Sequence, residues 1–146
     1  MGIIGLVVGL AVPAFARFAQ NVRLKSTARE VMGLVSLARS LAIGSHQDRT
    51  VSLDLEQGLL RVFDEQGEPL EQQVRIPPSI TVELQIGGTP ANDSSFVFRP
   101  TGSLAGRSAS LVLSGQQKRF VVMVSAATGA VTLNDESLSS DHDASR

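Results

Sequence analysis

The chain has 146 residues, enough for one ordinary domain with its own core and a short appendage. It contains no cysteine, which excludes disulfide scaffolds and thiolate metal sites. Its net charge is −1, but residues 1–49 carry six basic and two acidic side chains, whereas the remainder carries seven basic and twelve acidic ones. This asymmetry indicates a surface partner, membrane or protein, for the basic N-terminal part.

The chain opens with the apolar run GIIGLVVGLAVPAFARF, residues 2–18, which has no charge before Arg17. As a membrane helix, its roughly 15 apolar residues reach about 22 Å, short of the hydrocarbon core of about 30 Å. A cleaved signal peptide would fit the small residues Ala14 and Ala16, but a basic leader is missing. A buried helix would need apolar neighbours on every side. The fourth alternative is the back half of a longer apolar helix.

The residues that follow favour this fourth alternative. Apolar side chains recur there at spacings of three and four, the period of an amphipathic helix: Leu24, Ala28, Val31, Val35, Ala38 and Ala42. Five basic side chains largely occupy the remaining surface: Arg17, Arg23, Lys25, Arg29 and Arg39. We therefore expect one helix that kinks at Pro13, ends near Ile43 and is capped by Gly44. Its residues 1–16 are apolar all round, and its residues 17–44 are amphipathic.

Beyond Gly44 the hydrophobic period changes from 3.6 to 2. Residues 50–55 and 59–63 predict a hairpin, and residues 80–86 alternate with one apolar face. Further strands are predicted near residues 96–99, 110–114, 118–125 and 130–133, with Phe120 pointing inward and a loop at 87–95. The fold class is therefore α+β, a long N-terminal helix packed on an antiparallel β-sheet domain at 45–133. Residues 134–146 predict an acidic, disordered tail.

Residues that could carry out chemistry are scarce. The sequence has no P-loop, GxGxxG, GxSxG or HExxH motif. His46 beside Asp48 is interpreted as a solvated loop residue, and Asn92-Asp93 as a turn signal without the spaced ligands of a calcium site. We expect no enzyme activity, no cofactor and no metal.

Several stretches of the chain resemble one protein family. The apolar run is similar to the second half of the N-terminal segment shared by type IV pilins and type II secretion pseudopilins. Residues 96–133 resemble the C-terminal hairpins of the GspH/FimT group of minor pseudopilins, and SLARSLAI, residues 36–43, matches the helix end of that group. Two short motifs of the group correspond to Phe98, Pro100, Gly102 and Ser103, and to Thr128, Gly129 and Val131.

The start of the family's N-terminal segment does not occur in this sequence. An alignment on Pro13 puts the family's phenylalanine about nine residues before Met1 and its glutamate about five before it. We expect that this upstream segment lengthens the apolar run to about 24 residues, enough to span a bilayer. The resemblance implies a prepilin peptidase as the partner of the full-length precursor, since the sequence as written lacks a site for that enzyme.

The resemblance implies a structural subunit that initiates, caps or builds the periplasmic pseudopilus of a type II secretion system. Its helix would assemble with other pseudopilins or minor pilins through Gly5, Gly9, Pro13 and Phe15. It would also anchor the chain in the bacterial inner membrane as a single pass, with the domain in the periplasm. The positive-inside rule, applied to the basic residues that follow the apolar run, would favour a cytoplasmic domain. Long domains are translocated largely regardless of this rule.

Two further hypotheses remain from other classes of function. A FimT-like minor type IV pilin would act in pilus assembly or DNA uptake, and its candidate DNA contacts are Arg107, Lys118 and Arg119. We do not expect DNA as a partner, because these are only three charges and the tail is acidic. An exported β-domain released by a signal peptidase would begin near Arg17.

Overall fold

The structure, a computed structural model, describes residues 2–91 and 94–137, and within them the side chains of residues 18–136. One helix, α1 (Gly2–Ser45), precedes nine strands in the described part of the chain. The strands are β1 (Arg49–Asp54), β2 (Leu59–Phe63), β3 (Pro69–Arg75), β4 (Thr81–Ile86), β5 (Thr89–Pro90), β6 (Ser95–Phe98), β7 (Ala109–Ser114), β8 (Lys118–Val124) and β9 (Val131–Ser137).

The strands form two antiparallel sheets. The first has the order β3-β2-β1-β6, and the second has the order β5-β4-β7-β8-β9. Hairpins join most neighbours, but two pairings are long-range, since β6 returns to β1 and β4 pairs with β7. The predicted α+β class is confirmed, and the division into two sheets is a feature that turn signals could not supply.

The helix packs its buried stripe against both sheets. All six predicted stripe residues are buried, and they share one core with buried apolar side chains of every strand except β5 and β9, while half-buried Val131 and Leu133 of β9 pack against that core. Val31 and Val35 are completely inaccessible, and burying such a side chain stabilises the fold by about 1.5–3 kcal/mol. Thr27 and Leu34 widen the stripe beyond the predicted spacing. Phe120 points inward as predicted.

The end of α1 differs from the prediction. The helix continues through Gly44 to Ser45, and the left-handed position belongs to His46, with φ of 55°. Ser45 donates its hydroxyl hydrogen bond to the carbonyl of Leu41, which extends the last turn. Histidine is one of the few residues other than glycine enriched in this conformation, so Gly44 is not needed as the cap. The side chain of His46 is exposed, as expected for a loop residue.

Two strand boundaries also differ from the sequence pattern. β9 runs to Ser137, four residues into the predicted tail, because its polar residues pair with β8 along the full length of that strand. The loop predicted at 87–95 contains the two-residue strand β5, whose Thr89 pairs with Ile86. Asn92 and Asp93, and residues 138–146 of the predicted tail, lie outside the described residues.

Candidate assembly interface

The first turns of α1 whose side chains are described present apolar residues to solvent. Phe18, the last residue of the apolar run, is 64% exposed, and Val22, one turn further along the helix, is 51% exposed. A groove of about 510 Å³ lies between this part of the helix and the segment after β3. Its walls include Phe18, Val22, Arg23 and Glu30 from the helix, and Arg75 and Pro77 from beyond the helix.

Apolar exposure continues from this groove onto the β1–β2 turn. Leu55, at that turn, is 62% exposed and borders a second cavity of about 370 Å³. Pro77 lines both cavities, so it joins Leu55 to the helix groove. We call this region the basal surface, defined by four apolar and four basic residues: Phe18, Val22, Leu55, Pro77, Arg23, Lys25, Arg29 and Arg75. Sequence patterns gave no signal for Leu55, Arg75 or Pro77, because tertiary packing brings them to the helix.

The predicted assembly residues lie in the helix segment ahead of the basal surface. Gly5, Gly9, Pro13 and Phe15 all belong to α1, whose helical backbone continues through Pro13. Their side-chain surroundings lie outside the described part, so their role in assembly stays a prediction. Within the residues whose side chains are described, no helical segment has both the length and the apolar character needed to cross a bilayer.

At the other end of the domain, the two motif turns meet the end of α1. Gly102, with φ of 89°, follows β6, and Gly129, with φ of 71°, joins β8 to β9. A Cβ atom on Gly129 would overlap the carbonyl oxygen of Gly102, and one on Gly102 would lie 2.9 Å from Cδ1 of Ile43. Only glycine combines these φ values with such close backbone contact. We call this contact of Gly102, Gly129, Arg39 and Ile43 the distal junction.

The remaining motif residues shape these two turns. Phe98 is fully buried, and its ring meets that of Phe96 edge to face with centroids 5.8 Å apart. Half-buried Pro100 begins the tight turn, which is closed by a 2.8 Å hydrogen bond from the Arg99 amide to the Ser103 carbonyl. These geometries give the motif positions a structural explanation: they set where the turns touch the helix.

Arg39 occupies a different environment from the one its helical position predicts. It is half-buried and donates from Nη2 to the carbonyl oxygen of Thr128 at 3.1 Å. Its Nε lies within 3.4 Å of the Cβ positions that Gly102 and Gly129 lack. Arg39 thus departs from the predicted placement on the remaining helix surface, whereas Arg23, Lys25 and Arg29 are exposed. The reason is that the β8–β9 turn folds back onto this part of α1.

The three candidate DNA contacts do not form one patch. Lys118 and Arg119 begin β8, whereas Arg107 precedes β7 and lies next to Gly87, near the other end of the sheet. The length of β8, about 20 Å, separates the two groups. Arg119 is also paired with Glu136, through an Nη2–Oε2 distance of 2.6 Å. In the described part of the chain, no group of three or more potential metal-ligating side chains occurs.

The fold, a long N-terminal helix packed against antiparallel sheets, defines the class of pilin-like subunits. Three solved structures have the same fold, each with a TM-score of 0.61. The type IV minor pilin FimU of Pseudomonas aeruginosa is 17% identical, with 80% of this chain and 92% of that chain covered. Two structures of the minor pseudopilin EpsH of Vibrio cholerae are 15% and 17% identical, covering 76% and 80% of this chain and 94% and 97% of EpsH.

The family itself is shown by the sequence. Residues 27–129 match the family described as type II transport protein GspH, and the chain belongs to that family. It is thus a minor pseudopilin of the type II secretion class, a structural subunit and not an enzyme, which confirms the resemblance noted in the sequence. Members of this family are typically located at the inner membrane and in the periplasm and assemble with other pseudopilins. Among proteins with curated descriptions, none matches the chain significantly.

Proposed function

We propose that this minor pseudopilin helps to initiate, cap or build the periplasmic pseudopilus, and that the front of α1 is both its inner-membrane anchor and its assembly element. The observation that carries the proposal is the continuity of α1, a single helix of 44 residues that runs from the uncharged run into the core of the domain. Cleavage of a signal peptide would instead cut α1 in two, because the apolar run and the first residues that pack in the domain belong to the same helix.

The helix segment ahead of the part of α1 that packs in the domain supports this role. Among the residues whose side chains are described, Leu24 is the first that the domain buries, and 22 helical residues, about 33 Å of helix, precede it. Gly5 and Gly9 are four residues apart and would let a neighbouring helix approach closely. We infer that the partners of this segment are the helices of other pseudopilins and the lipid of the inner membrane. In the full-length precursor, a prepilin peptidase would be a further partner.

The distal junction supports the proposal that the chain is a structural subunit with a fixed domain orientation. It ties the turns of the first and second sheets together through backbone atoms, and it joins both turns to the end of α1 through the side chains of Arg39 and Ile43. Such contacts leave little freedom for the domain to move relative to the helix. We infer that Phe98, Pro100, Gly102, Thr128 and Gly129 act structurally, by holding the domain in a fixed orientation on the assembly helix.

The proposal can be tested by gene deletion and complementation in the native bacterium. Loss of the gene should reduce secretion of exported proteins into the medium, and the full-length gene should restore it. A Gly9→Leu variant should complement poorly, because the larger side chain prevents close helix approach. The matched control is Gly33→Leu, an exposed position in the same helix with open space around the Cβ position. Normal secretion in the deletion strain would contradict the proposal.

A second candidate, a FimT-like minor type IV pilin in pilus assembly or DNA uptake, is supported by the FimU likeness, which has the same TM-score as the EpsH likeness. This candidate predicts that the deletion impairs pilus formation or transformation and leaves secretion intact. DNA contacts through Arg107, Lys118 and Arg119 predict binding that weakens steeply with salt. If the chain does not bind duplex DNA at low salt, the DNA-uptake role is excluded.

A further inference from the structure

We propose that the basal surface is a membrane-seating surface, which rests on the headgroups of an anionic bilayer and so holds the domain directly against the membrane before assembly. The inference rests on the proposed function, because it takes the front of α1 as the anchor. It adds that the domain itself, through Leu55, Pro77 and Arg75, contacts the lipid. An anchored domain without this contact would be connected to the membrane by its helix alone.

The position of the basal surface along α1 is the first argument. Ala16 is the last residue before the first charge of the apolar run, Arg17, so in an anchored chain it would lie near the boundary of the hydrocarbon. At 1.5 Å per residue, Phe18 lies about 3 Å and Val22 about 9 Å beyond it along the helix. The headgroup region on each side of a bilayer is roughly 5–8 Å thick. Both exposed side chains therefore fall within or at the edge of the headgroup layer.

The domain reaches the same level as these helix residues. Arg75 and Pro77 form a wall of the groove that contains Phe18 and Val22, and Pro77 also lines the cavity beside Leu55. The turn that carries Leu55 is therefore at the same end of the domain as this helix groove, and we infer that it faces the headgroup layer. A leucine that is 62% exposed at a turn gains stability only if a partner covers it, and acyl-chain boundaries offer an apolar partner at this depth.

The charges around these apolar side chains are the second argument. Arg23, Lys25, Arg29 and Arg75 are exposed, and Glu30 is the acidic residue among the walls of the helix grooves. Glu56 adds one carboxylate at the Leu55 cavity. The net charge of these residues is positive, which fits anionic headgroups. Arg23 and Lys25 lie about 10 and 14 Å beyond Ala16 along the helix, and their long side chains can keep their stems on apolar surface while their charges reach phosphate. Arg29 lies about 20 Å beyond Ala16, outside the headgroup layer, and acts only as a more distant positive charge. Apolar residues ringed by basic ones are typical of surfaces that bind at a bilayer interface.

Tryptophan fluorescence tests the proposal, because the chain contains no tryptophan. Three single-tryptophan variants of the full chain, Phe18→Trp, Leu55→Trp and Met123→Trp, would be reconstituted into phosphatidylcholine vesicles with and without phosphatidylglycerol. Lipids spin-labelled near the headgroup then report contact by quenching. Met123 is the matched control, since it is an exposed apolar residue near the end of β8 opposite to the basal surface. We expect quenching of the first two variants and none of the third.

The charge requirement has its own variant. In the Leu55→Trp background, Arg75→Gln should reduce the ratio of domains in contact with the bilayer to domains away from it about fivefold in anionic vesicles. The reason is that one basic group at such a surface contributes about 1 kcal/mol. Quenching of the Phe18→Trp variant should not change. Equal quenching of the Leu55→Trp variant in neutral and anionic vesicles would overturn the role of the basic residues.

Each other outcome is distinct. Quenching of the Phe18→Trp variant without quenching of the Leu55→Trp variant would overturn the seating of the domain while leaving the anchor intact. Absence of quenching in both would overturn the anchoring in the proposed function, and the seating with it. A Leu55→Trp variant that is shielded from aqueous iodide but not quenched by lipid would show that another protein chain covers this surface, and that result would also overturn the proposal.

Discussion

The two ends of the domain contrast in how their surfaces are filled. At the distal junction, the Gly102 and Gly129 turns lie against each other and against α1 so closely that a methyl group on Gly129 would overlap backbone, and one on Gly102 would displace the end of the Ile43 side chain. At the basal surface, Phe18, Val22 and Leu55 are each more than half exposed. Both ends involve the same helix, about 20 residues apart. The turns are therefore closely packed on α1 at the distal junction, where Ile43 is 40% exposed, whereas the apolar side chains of the basal surface are left more open.

This difference separates two kinds of residue. A change at the distal junction must alter the stability of the isolated chain, because its contacts are all internal. A change at the basal surface should alter what the chain binds and leave its stability almost unaffected, because its side chains already face solvent. Each of the following substitutions tests this separation, in order of decreasing expected effect.

The largest effect is expected for Gly129→Ala. The added methyl group would overlap the Gly102 carbonyl oxygen, and alanine is disfavoured at φ of 71°, so we expect a loss of at least about 3 kcal/mol in the free energy of unfolding. Chemical denaturation followed by circular dichroism measures it. The matched control is Gly67→Ala, where φ is 80° but the Cβ position is open, and there the loss should be about 1–2 kcal/mol. Equal losses would contradict the close contact at the junction.

The pair Leu24→Ala and Val22→Ala compares buried and exposed faces of α1 two residues apart. Leu24 is 1% exposed and packs against the β7–β8 turn at Gly115, so its truncation should cost about 2–5 kcal/mol. Val22 is 51% exposed, and its truncation should change stability by less than about 0.5 kcal/mol. Thermal unfolding of both variants measures the difference. A large loss for Val22→Ala would mean that the basal surface is part of the core.

Arg39→Met tests the hydrogen bond that joins α1 to the β8–β9 turn. Losing the bond from Nη2 to the Thr128 carbonyl should destabilise the chain by about 1 kcal/mol. Arg29→Met, at an exposed position ten residues earlier in the same helix, is the control and should cost less than about 0.5 kcal/mol. The two unfolding free energies, measured in the same denaturant series, should differ in this order. Identical unfolding free energies would contradict a stabilising role for Arg39 at the distal junction.

The smallest effect is expected for the Arg119–Glu136 pair. Its side chains are 42% and 49% exposed, so a double-mutant cycle with Arg119→Gln and Glu136→Gln should give a coupling of about 0.2–1 kcal/mol. The coupling should diminish as salt is added, because exposed charges are screened. A coupling above this range that resists salt would show that the pair is shielded from solvent.

Much of the fold could be predicted from local patterns. The stripe from Leu24 to Ala42 has the helical period, and every predicted member is buried. The β1–β2 hairpin follows from alternation on both sides of a turn. The end of α1 could not be located in this way, because a hydroxyl bond from Ser45 and the left-handed conformation of His46 extend the helix past Gly44.

The candidate sites could be predicted only in part. The motif glycines Gly102 and Gly129 were recognised from the family pattern, but nothing in the sequence showed that their turns touch each other across 26 residues of chain. The contribution of Arg39 was missed, since its helical position is that of an exposed residue. Likewise, Arg75 lines the helix groove and Leu55 lines the neighbouring cavity, although both are far from the helix in sequence. The periodicity of a single element does not predict such contacts.

Local patterns and motifs specify the helix, most of the strands and the family: the periods of 3.6 and 2 indicate which side chains a helix or strand must bury, and the motif residues identify the group. Packing between elements sets how the strands divide into two sheets, where Arg39 lies and which residues form the two ends of the domain. Local periodicity depends on backbone geometry within one element. Contacts between elements depend instead on which buried faces fit together, and that fit depends on residues far apart in the chain.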